Sequence, residues 1–541
     1  MKIIFNKWFI TTFVVALLLT SPIWLLISVL FEPTNENWAH LVNTVLSEYV
    51  LNSLLLMLGV SVGTLFFGVS SAWLVTQYRF FGRDVLQWAL LLPFAMPAYI
   101  IAYTYTGLLD FGGPVQGYLR TIISPETLNT FFPEIRTLGG AITMMSLVLY
   151  PYVYLLARVS FAGKSQSITE VSKTLGAGPV KRFFKIALPI ARPAIIVGLT
   201  LALMETLADY GTVQYFGVPT FTTGIFRTWA GFDDTTTAAQ LSLLLLVFVT
   251  TLILLEIWSR KQAKYFEHSQ SSKPSPRSVL TGSKSFWAFF VCLVPVVFGF
   301  IVPAGQLLYW SVITADTGFN AEFFTLMWNS FYLAFLVASA TVVIALLLVY
   351  SKRIQKNKVI TSLVKVTTLG YAIPGIVIAI AVLILFTSVD HYIDGLMQYL
   401  FNTSTGLLLS GTLSMLVFAY IIRFLSISVQ SLDSGLNKIK PSMDDTALTL
   451  GASRWKLLFK VHLPLLHTSL ITAFILVFVD VLKELPTTLI LRPFNFNTLS
   501  VRAFEMASDE RLVDAGLPAL LIVIIGIIPV IILTKITGKQ S

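Results

Sequence analysis

The sequence is poor in the residues from which disulfides and reactive centres are built. Its 541 residues include one cysteine, Cys292, and five histidines, and only 12% of the residues are charged. A single cysteine excludes an internal disulfide framework, and the histidines show no spacing typical of metal ligands. Neither a serine–histidine–acid arrangement nor a glycine-rich phosphate loop ending in Lys-Ser/Thr is recognisable. The sequence therefore offers no catalytic constellation, and ATP hydrolysis would need another polypeptide.

Apolar residues dominate instead. They make up 56% of the chain, and the mean hydropathy is +0.80, so most of the chain must be solvated by lipid. Apolar windows of about 20 residues predict an all-α polytopic membrane protein with about twelve transmembrane helices, near residues 8–30, 52–76, 85–109, 138–161, 193–216, 239–258, 286–312, 330–350, 362–387, 405–429, 468–490 and 515–536.

The distribution of charge predicts the orientation of these helices. If the N-terminus is cytoplasmic, most lysines and arginines fall in cytoplasmic segments, as the positive-inside rule requires, and both termini are cytoplasmic. The net charge of +10 then reflects topology and does not indicate nucleic-acid binding. The first apolar segment is too long for a signal peptide and lacks a cleavage site, so we expect it to be retained.

The chain also contains an internal repeat. Asn52-Ser53 and Asn329-Ser330 are 277 residues apart, as are Pro97 and Pro374, and Arg227 pairs with Arg502 at a distance of 275. This repeat predicts two six-helix halves, residues 1–258 and 286–541, joined by a cytoplasmic linker at 259–285 that is rich in proline, serine and basic residues. An even number of spans gives both halves the same orientation, with a pathway between them.

Each half carries the same polar loop after its fourth span, at about 163–190 and 436–465. An acid precedes a glycine by six residues in both copies, and a Leu-Pro pair closes both frames. The first loop contains Glu170, Thr174, Leu175, Gly176, Ala177, Leu188 and Pro189, and the second contains Asp445, Thr449, Leu450, Gly451, Ala452, Leu463 and Pro464. Such a duplicated cytoplasmic loop indicates a partner that binds twice.

The residues of the loop predict a helix–glycine–helix element. An acid near the start of a short helix is stabilised by the helix dipole, and Gly176 or Gly451 can adopt the left-handed conformation that ends the helix. Phe183, Phe184 and Phe459 would supply apolar anchors for a groove on the partner. We expect His462, which lies within the second loop, to face the partner or solvent.

The loop frames resemble the "EAA" loops of bacterial binding-protein-dependent ABC importers, although Val171-Ser172 and Thr446-Ala447 replace the usual alanines. Two further segments resemble the fused permeases of ferric-iron importers, namely Leu207-Ala-Asp-Tyr-Gly-Thr-Val-Gln-Tyr-Phe-Gly217 and Lys483-Glu-Leu-Pro-Thr-Thr-Leu. The resemblance implies a type I ABC importer permease fold in a bacterial inner membrane. It also implies a cytoplasmic ABC ATPase homodimer that binds ATP and Mg, and a periplasmic iron-binding protein, with no cofactor on this chain.

Four acids within spans are candidate pathway residues. Glu205 and Asp209 lie four residues apart on one helix face, and Asp480 and Glu484 occupy the corresponding positions 275 residues later. Acids inside a membrane are costly and are often functional, and oxygen ligands suit a hard cation such as ferric iron. We therefore predict that the four carboxylates relay iron as transient ligands. The alternative is a structural role, in which Arg158, Arg423 or Lys483 would hold them or the acids would simply be protonated.

Aromatic residues and prolines give weaker indications. We interpret Tyr99, Tyr103 and Tyr105, and the series Tyr150, Tyr152 and Tyr154, as an interfacial aromatic belt, although their phenols could also supply oxygen ligands. Prolines within spans, at Pro93, Pro97 and Pro374, should kink the helices that contain them.

The sequence thus predicts a permease that moves ferric iron from the periplasm to the cytoplasm. ATP binding would close the partner ATPase dimer, draw both loops together and open the pathway outward, and hydrolysis would reverse the motion. Two alternatives remain open. The same architecture could import thiamine, a polyamine or an oxyanion, because the loops report the motor and not the cargo. The chain could also be a secondary transporter driven by an ion gradient, although such a protein needs no matched pair of loops.

Overall fold

The structure is a computed structural model that describes residues 7–33, 35–124, 127–128, 132, 134–162, 178–261, 277–355 and 357–538. Its residues form two compact units. Unit 1 contains residues 1–35, 228–243 and 319–502, and unit 2 contains residues 36–227, 244–318 and 503–541. Each unit therefore combines segments from both predicted halves of the sequence.

Long apolar helices dominate the described residues. Ten helical segments are long and apolar enough to cross a membrane, at Lys7–Phe31, Leu46–Gln77, Leu138–Ala162, Pro179–Ala208, Thr235–Ser259, Ser283–Ile313, Ala321–Gln355, Gly375–Phe401, Leu413–Asn437 and Arg454–Lys483. The helical pair Arg83–Ala95 and Ala98–Leu119 passes the same test as one broken span, and Gly516–Ile532 is a shorter apolar helix. The all-α membrane fold is confirmed, with ten or eleven spans by these criteria where the sequence predicts about twelve.

Shorter elements connect or interrupt these helices. In chain order they are Val29–Phe31, Glu36–Thr44, Pro114–Leu119, Gly211–Tyr215, Phe221–Phe232, Ala315–Gly318, Lys358–Thr367, Pro441–Thr449, Pro486–Leu491 and Leu499–Ser508. The strands Tyr78–Arg79 and Ser278–Val279 pair in parallel within unit 2. Each strand has only two residues, so this pair is a local tie in a helical protein.

Proline breaks the third span, as predicted. The 3₁₀ turn Leu92–Ala95 is followed by Pro97, whose φ of −60° and ψ of 143° are extended. Because proline disfavours the helical conformation of the residue before it, a new helix begins at Ala98 and the two pieces are bent by 93°. The second half repeats this pattern with the 3₁₀ turn Thr368–Ala372 and an extended Pro374 before the helix Gly375–Phe401.

The core of unit 2 forms around the helices Leu46–Gln77 and Leu138–Ala162. Cys292 is fully buried there, together with Tyr150 and Tyr154, and the Tyr150 hydroxyl donates a hydrogen bond of 2.9 Å to the Leu90 carbonyl. In unit 1 the N-terminal helix Lys7–Ser28 is held by its first aromatic residue. The Trp8 ring packs edge-on against Tyr350, with 5.2 Å between the ring centroids.

The internal repeat extends to individual hydrogen bonds. The Asn52 amide donates to the Pro219 carbonyl at 3.0 Å, and the Asn329 amide donates to the Asn497 carbonyl at 3.2 Å. Their acceptors, Pro219 and Asn497, are 278 residues apart, whereas Asp209 and Glu484 are 275 apart. The second half therefore has three more residues between the acid and this acceptor than the first half has. Arg227 therefore lies six residues after the start of Phe221–Phe232, whereas Arg502 lies three after the start of Leu499–Ser508. The predicted correspondence of these two arginines is wrong.

Candidate functional site

The second polar loop folds as a short exposed helix, a glycine turn and a return into the next span. We call residues Pro441–His462 the second coupling segment. Its first helix, Pro441–Thr449, begins with a proline, which needs no hydrogen bond for its nitrogen at that position, and contains no buried residue. Gly451 follows with a φ of +77°. This positive value confirms the left-handed conformation predicted for that glycine.

Two backbone hydrogen bonds define the turn at Gly451. The Gly451 N–H donates to the Leu448 carbonyl and the Ala452 N–H donates to the Ala447 carbonyl, both at 3.0 Å. This pair of bonds is the Schellman motif, which satisfies the last carbonyls of a helix and requires a left-handed residue. The sequence Thr-Leu-Gly-Ala thus encodes the end of the first helix and the direction in which the chain leaves it.

A π turn connects this element directly to the following span. The helix Arg454–Leu457 continues through the π turn Leu458–His462 into the helix Leu463–Lys483. Pro464 lies just beyond the turn and has no N–H to bond with the preceding residues, so the wider turn accommodates the missing bond. The Leu-Pro pair that closes the sequence frame therefore marks the junction between loop and span.

The second coupling segment presents an apolar face to its surroundings. Leu450 is 82% exposed and Phe459 is 61% exposed, and Met443, Leu448 and Trp455 are also exposed. An exposed cluster of large apolar side chains on a short helix and its return is typical of a protein interaction site. Phe459 was predicted as an anchor and is accessible for this role.

A group of three polar side chains joins the segment to the helix Ala321–Gln355 of the same unit. Arg353 Nε donates to Asp444 Oδ2 at 2.8 Å, and His462 Nε2 lies 2.9 Å from Asp444 Oδ1. Burial alone would raise the pKa of Asp444, but the hydrogen bonds from Arg353 and His462 outweigh it and hold the pKa below its usual value. Arg353 also donates to the Ile439 carbonyl at 2.9 Å. We call Arg353, Asp444 and His462 the anchor triad.

The anchor triad corrects one prediction and adds an acid that the loop frame does not select. His462 is fully buried, so the prediction that it faces the partner or solvent is wrong. The acid in the first turn of the helix is Asp444, whereas Asp445, which the loop frame selects, is exposed on the next position. Sequence spacing could not distinguish two adjacent acids, because only the fold brings Arg353 and His462 to one of them.

Part of the first loop is also described. Glu170, Thr174, Leu175, Gly176 and Ala177 lie outside the described residues. From Gly178 onward the first loop repeats the second.

The helix Pro179–Arg182 is followed by the π turn Phe183–Ala187 and the helix Leu188–Ala208. Both π turns occupy equivalent positions of the repeat, and Phe184 is as exposed as its counterpart Phe459. Sequence analysis missed the π turns, which often mark functional sites.

The candidate acid Asp209 lies where the fifth span ends. It follows the helix Leu188–Ala208 with a ψ of 131°, and its carboxylate accepts hydrogen bonds from the next short helix. Oδ1 accepts from the Thr212 N–H at 2.9 Å and from the Val213 N–H at 3.3 Å, and Oδ2 accepts from the Thr212 hydroxyl at 2.9 Å. Asp209 thus caps the helix Gly211–Tyr215.

Glu484 occupies the equivalent break in the second half. Its Oε1 accepts from the Thr487 hydroxyl at 2.7 Å and from the Thr487 N–H at 3.2 Å, so it caps the helix Pro486–Leu491. Oε2 accepts from the Tyr420 hydroxyl at 3.0 Å, and Arg423 Nε lies 3.9 Å from Oε1. Glu484 is buried, and its carboxylate is held by a cation, a phenol and a helix N-terminus.

The other two candidate acids lie one helical turn earlier. Asp480 Oδ1 forms an ion pair of 2.7 Å with Lys483 Nζ, and Glu205 is partly buried. Arg158 bonds to Gln87 and stacks over Trp88. Among the described residues, no group of three or more histidine, cysteine, aspartate or glutamate side chains is arranged to hold a metal ion. The four acids thus lie in two pairs, and within each pair the later acid, Asp209 or Glu484, caps a short helix.

The tyrosines are not an interfacial belt. Tyr99, Tyr103, Tyr105, Tyr150 and Tyr154 are all buried, so the aromatic-belt interpretation is wrong for them. The Tyr105 hydroxyl donates to the Phe298 carbonyl at 2.7 Å, and the Tyr154 hydroxyl donates to the Gln87 carbonyl at 2.8 Å. These phenols hold helices together within unit 2.

Comparison with known proteins matches this architecture. The family described as "binding-protein-dependent transport system inner membrane component" matches residues 6–264 and 356–539. The chain is 28% identical to the Fe(3+)-transport system permease protein FbpB 2 of Haemophilus influenzae over 498 residues, which cover 91% of each chain. It is 24% identical to the putative ferric transport system permease protein FbpB 1 of the same organism, over 80% of this chain and 68% of that protein.

A relative with another named cargo is similar over a shorter stretch. The sulfate transport system permease protein CysT of Salmonella typhimurium is 26% identical over 205 residues, which cover 37% of this chain and 70% of that protein. The family match spans most of the chain and falls in two regions, and the described residues are built from long apolar helices. The chain therefore belongs to the family of binding-protein-dependent transport system inner membrane components, and it is a multi-pass protein of the inner membrane.

Proposed function

We propose that this chain is the permease subunit of an ATP-driven importer that carries ferric iron from the periplasm to the cytoplasm. Both termini would be cytoplasmic. A separate ABC ATPase homodimer would bind ATP and Mg, and a periplasmic iron-binding protein would deliver the cargo. The ferric permeases of Haemophilus influenzae support this cargo, since the first of them matches this chain over 91% of both lengths.

The observation that carries the motor assignment is the second coupling segment. It offers an exposed apolar face on a helix without any buried residue, and the same π turn and Leu-Pro junction recur in the first half. A partner with two identical grooves, such as an ATPase homodimer, would bind one segment per subunit. This duplicated surface has no use in a transporter driven by an ion gradient.

The geometry also suggests how motion reaches the membrane. From Arg454 the chain runs through the π turn and the helix Leu463–Lys483 to Glu484, where the helix ends. A helix is a stiff rod, so a displacement of the second coupling segment would move the break at Glu484. In the first half, the chain from Pro179 to Asp209 has the same construction. ATP binding on the partner would draw both segments together and open the pathway outward.

A first experiment tests the motor. Replacement of Phe184 and Phe459 by aspartate should abolish co-purification of the ATPase, because each charge would enter an apolar groove. Phe494 is also fully exposed. It lies between the predicted spans 468–490 and 515–536, on the side opposite the cytoplasmic loops, so Phe494→Asp is a matched control that should retain the ATPase. Equal ATPase recovery with all three variants would refute docking at these segments.

A second experiment tests coupling. Gly451→Val should uncouple ATP hydrolysis from transport, because a β-branched residue resists the φ of +77° and displaces the turn. Gly406 has a φ of +61° and open space around it, so Gly406→Val introduces comparable strain away from the loop. Wild-type uptake by Gly451→Val would show that the turn does not couple the two activities.

The four acids remain proposed pathway residues. We propose that Glu205 and Asp480 meet the cargo and that Asp209 and Glu484 contribute mainly by capping the short helices beyond them. Change of Glu205 and Asp480 to the corresponding amides should abolish uptake of ferric iron while the complex stays intact, because an amide keeps the size of the side chain but carries no charge for the cation. Loss of the complex from the membrane would favour the structural role instead.

A sulfate cargo is the second candidate, because sulfate permeases are among the relatives. Acids within the spans disfavour an anionic cargo, whereas they would also suit thiamine or a polyamine. Vesicles that contain the complete complex should take up radiolabelled ferric iron, and an excess of thiamine, putrescine or sulfate should not compete. Absence of iron uptake, or efficient competition by one of the three, would overturn the iron assignment.

A further inference from the structure

The two halves differ in chemistry at one cluster of equivalent positions. In the first half, tyrosines lie on the helix Ala98–Leu109 and in the segment that Asp209 caps. In the second half, the equivalent positions hold aliphatic residues. The pairs are Tyr99 with Ile376, Tyr103 with Ile380, Tyr210 with Leu485 and Tyr215 with Ile490. Since the backbone elements correspond, aliphatic side chains are sufficient for packing at these positions, and the first half has phenols in their place.

Three of these phenols lie close together within unit 2. The Tyr103 and Tyr215 rings are 6.2 Å apart and are inclined at 72°. Tyr99 lies about one helical turn before Tyr103 on the helix Ala98–Leu109. Tyr103 is fully buried, and Tyr99 is 5% exposed. We call Tyr99, Tyr103 and Tyr215 the phenol cluster.

Two hydroxyls of the cluster, those of Tyr103 and Tyr215, are not used for packing bonds. Among the described residues, no group lies within hydrogen-bond geometry of the buried Tyr103 hydroxyl. The Tyr215 hydroxyl lies beside Thr106 but does not reach hydrogen-bond geometry with it or with any other described group. A buried hydroxyl without a partner costs about 1–3 kcal/mol relative to a bonded one. Isoleucine avoids this cost at the equivalent positions of the second half.

Neighbouring charges set the position and the electrostatics of the cluster. Asp209 caps the helix Gly211–Tyr215, and Tyr215 is the last residue of that helix. Arg136 lies over the Tyr215 ring at 5.3 Å from its centroid. The same guanidinium is 3.5 Å from Asp110 and 3.7 Å from Glu510. The cluster thus lies near one cation and near two carboxylates that can accept a proton.

We propose that the phenol cluster is a transient binding site for the ferric ion on its way through the protein. This inference rests on the proposed function as an iron permease. Ferric iron is a hard cation that prefers anionic oxygen ligands, and phenolate is one of them. Each coordinating phenol loses its O–H proton to water or a neighbouring carboxylate and forms an oxygen–iron bond, without a change in the oxidation state of the metal. Asp209 acts as a positioning residue for Tyr215.

The test uses removal of single oxygen atoms. The double variant Tyr103→Phe/Tyr215→Phe retains both rings and deletes two hydroxyls. Tyr105→Phe is the matched control, since Tyr105 lies on the same helix and its hydroxyl is bonded to the Phe298 carbonyl. Iron uptake should fall at least about tenfold in the double variant, because loss of a mere supporting group already weakens metal sites by that factor. Uptake by Tyr105→Phe should equal that of the wild type.

Thermal unfolding separates this role from a structural one. Deletion of an unbonded buried hydroxyl should leave the unfolding temperature unchanged or raise it, whereas Tyr105→Phe should lower it. A double variant with reduced uptake and undiminished stability supports the site. If uptake is unchanged, or falls only in proportion to a loss of folded protein, the site is overturned while the iron permease assignment stands.

Spectroscopy gives a readout that does not depend on transport. Ferric citrate added to the purified wild-type chain in lipid nanodiscs should produce visible phenolate-to-iron charge-transfer absorption. The absorption should be absent from the double variant and present in Tyr105→Phe. No absorption in the wild type, or equal absorption in the double variant, would overturn the site. Absence of iron uptake by the wild-type complex would instead refute the proposed function.

Discussion

The two acid-capped breaks, at Asp209 and Glu484, have the same backbone and different surroundings. Both acids end a long helix in an extended conformation and accept hydrogen bonds from a threonine three residues later. Glu484 also contacts Tyr420 and Arg423, whereas the residues equivalent to these two are Met145 and Val148, both apolar. Duplication has preserved the helix cap and changed the groups around it.

The polar residues of the two halves are thus distributed in opposite ways. The second half surrounds its acid with a cation and a phenol, and it has aliphatic residues at the positions that hold tyrosines in the first half. The first half lacks this cation and this phenol at the equivalent positions and carries the phenol cluster on the neighbouring helices. A buried carboxylate with several partners belongs to the packing of the fold, whereas a buried hydroxyl without a partner costs stability and calls for an explanation. The comparison therefore supports a structural role for the second break, and the iron site proposed above lies beside the first.

Glycine and alanine match the size of each acid. Gly375 begins the helix beside Glu484, and a Cβ atom there would lie 2.6 Å from Glu484 Oε1 and 2.6 Å from Thr487 Oγ1. The equivalent residue of the first half is Ala98, where the acid is the shorter Asp209. The first half thus has the larger residue at the helix start and the shorter acid, and the second half has the smaller residue and the longer acid.

The largest expected difference between the halves follows removal of each acid. Glu484→Ala leaves Arg423, whose side chain is only 12% exposed, without its carboxylate and removes one partner of the Tyr420 hydroxyl. The loss of one partner of a buried ion pair costs about 3–5 kcal/mol. Asp209→Ala removes a helix cap, which costs about 0.5–2 kcal/mol. The amount of protein in the membrane and its unfolding temperature in detergent should therefore fall far more for Glu484→Ala than for Asp209→Ala. Equal losses would contradict the structural assignment of the second break.

The anchor triad gives the next largest effect. Asp444→Ala removes the hydrogen bonds from Arg353 and His462. Because its carboxylate is partly exposed, we expect a total loss of about 1.5–3 kcal/mol, the usual contribution of one hydrogen bond to a charged group. The second coupling segment should become more susceptible to limited proteolysis while the spans remain folded. Thr169, the equivalent residue of the first half, should tolerate alanine, because Thr76 and Ala187 stand there at the positions of Arg353 and His462.

The pH dependence of the segment follows from the same carboxylate. The folded-state pKa of Asp444 is held below its usual value, so its stabilisation is complete above the ordinary aspartate pKa of about 3.9 and is lost as the pH falls through the folded-state pKa. Protection of the segment against proteolysis by an acid-active protease should be constant above about pH 5 and decline only in stronger acid. A decline that persists in Asp444→Asn would assign the effect to another group.

Much of this architecture could be predicted from the sequence. The apolar segments, the repeat and the glycine turn are local or periodic signals. Gly451 has the predicted positive φ, and the helix is interrupted at Pro97 as predicted. The anchor triad could not be predicted, because Arg353 and Asp444 are 91 residues apart and only the fold joins them. The buried state of Tyr103 was missed for a similar reason, since apolar sequence around a tyrosine is common to lipid-facing and packed helices.

The match between Gly375 and Glu484 predicts a smaller effect with a defined rescue. Gly375→Ala should destabilise the protein by about 1–3 kcal/mol, the usual cost of overpacking, because its methyl group would overlap the carboxylate. Glu484→Asp shortens the acid and recreates the pair found in the first half, so the double variant should be more stable than the sum of the single effects predicts. Additive losses in thermal unfolding would show that the two residues do not compensate.

The smallest effect concerns a place where the halves agree. Asn52 and Asn329 donate equivalent hydrogen bonds to the Pro219 and Asn497 carbonyls, of 3.0 Å and 3.2 Å. Alanine at either position should cost about 0.5–1.5 kcal/mol, the ordinary contribution of one such bond, and the two losses in detergent unfolding should be similar. Their near-equality is the control for every asymmetry above, because it shows that the two halves respond alike where their contacts are alike. If Asn329→Ala were several times more damaging than Asn52→Ala, the greater sensitivity of the second half would be general, and the large effect expected at Glu484 would no longer identify its carboxylate as the cause.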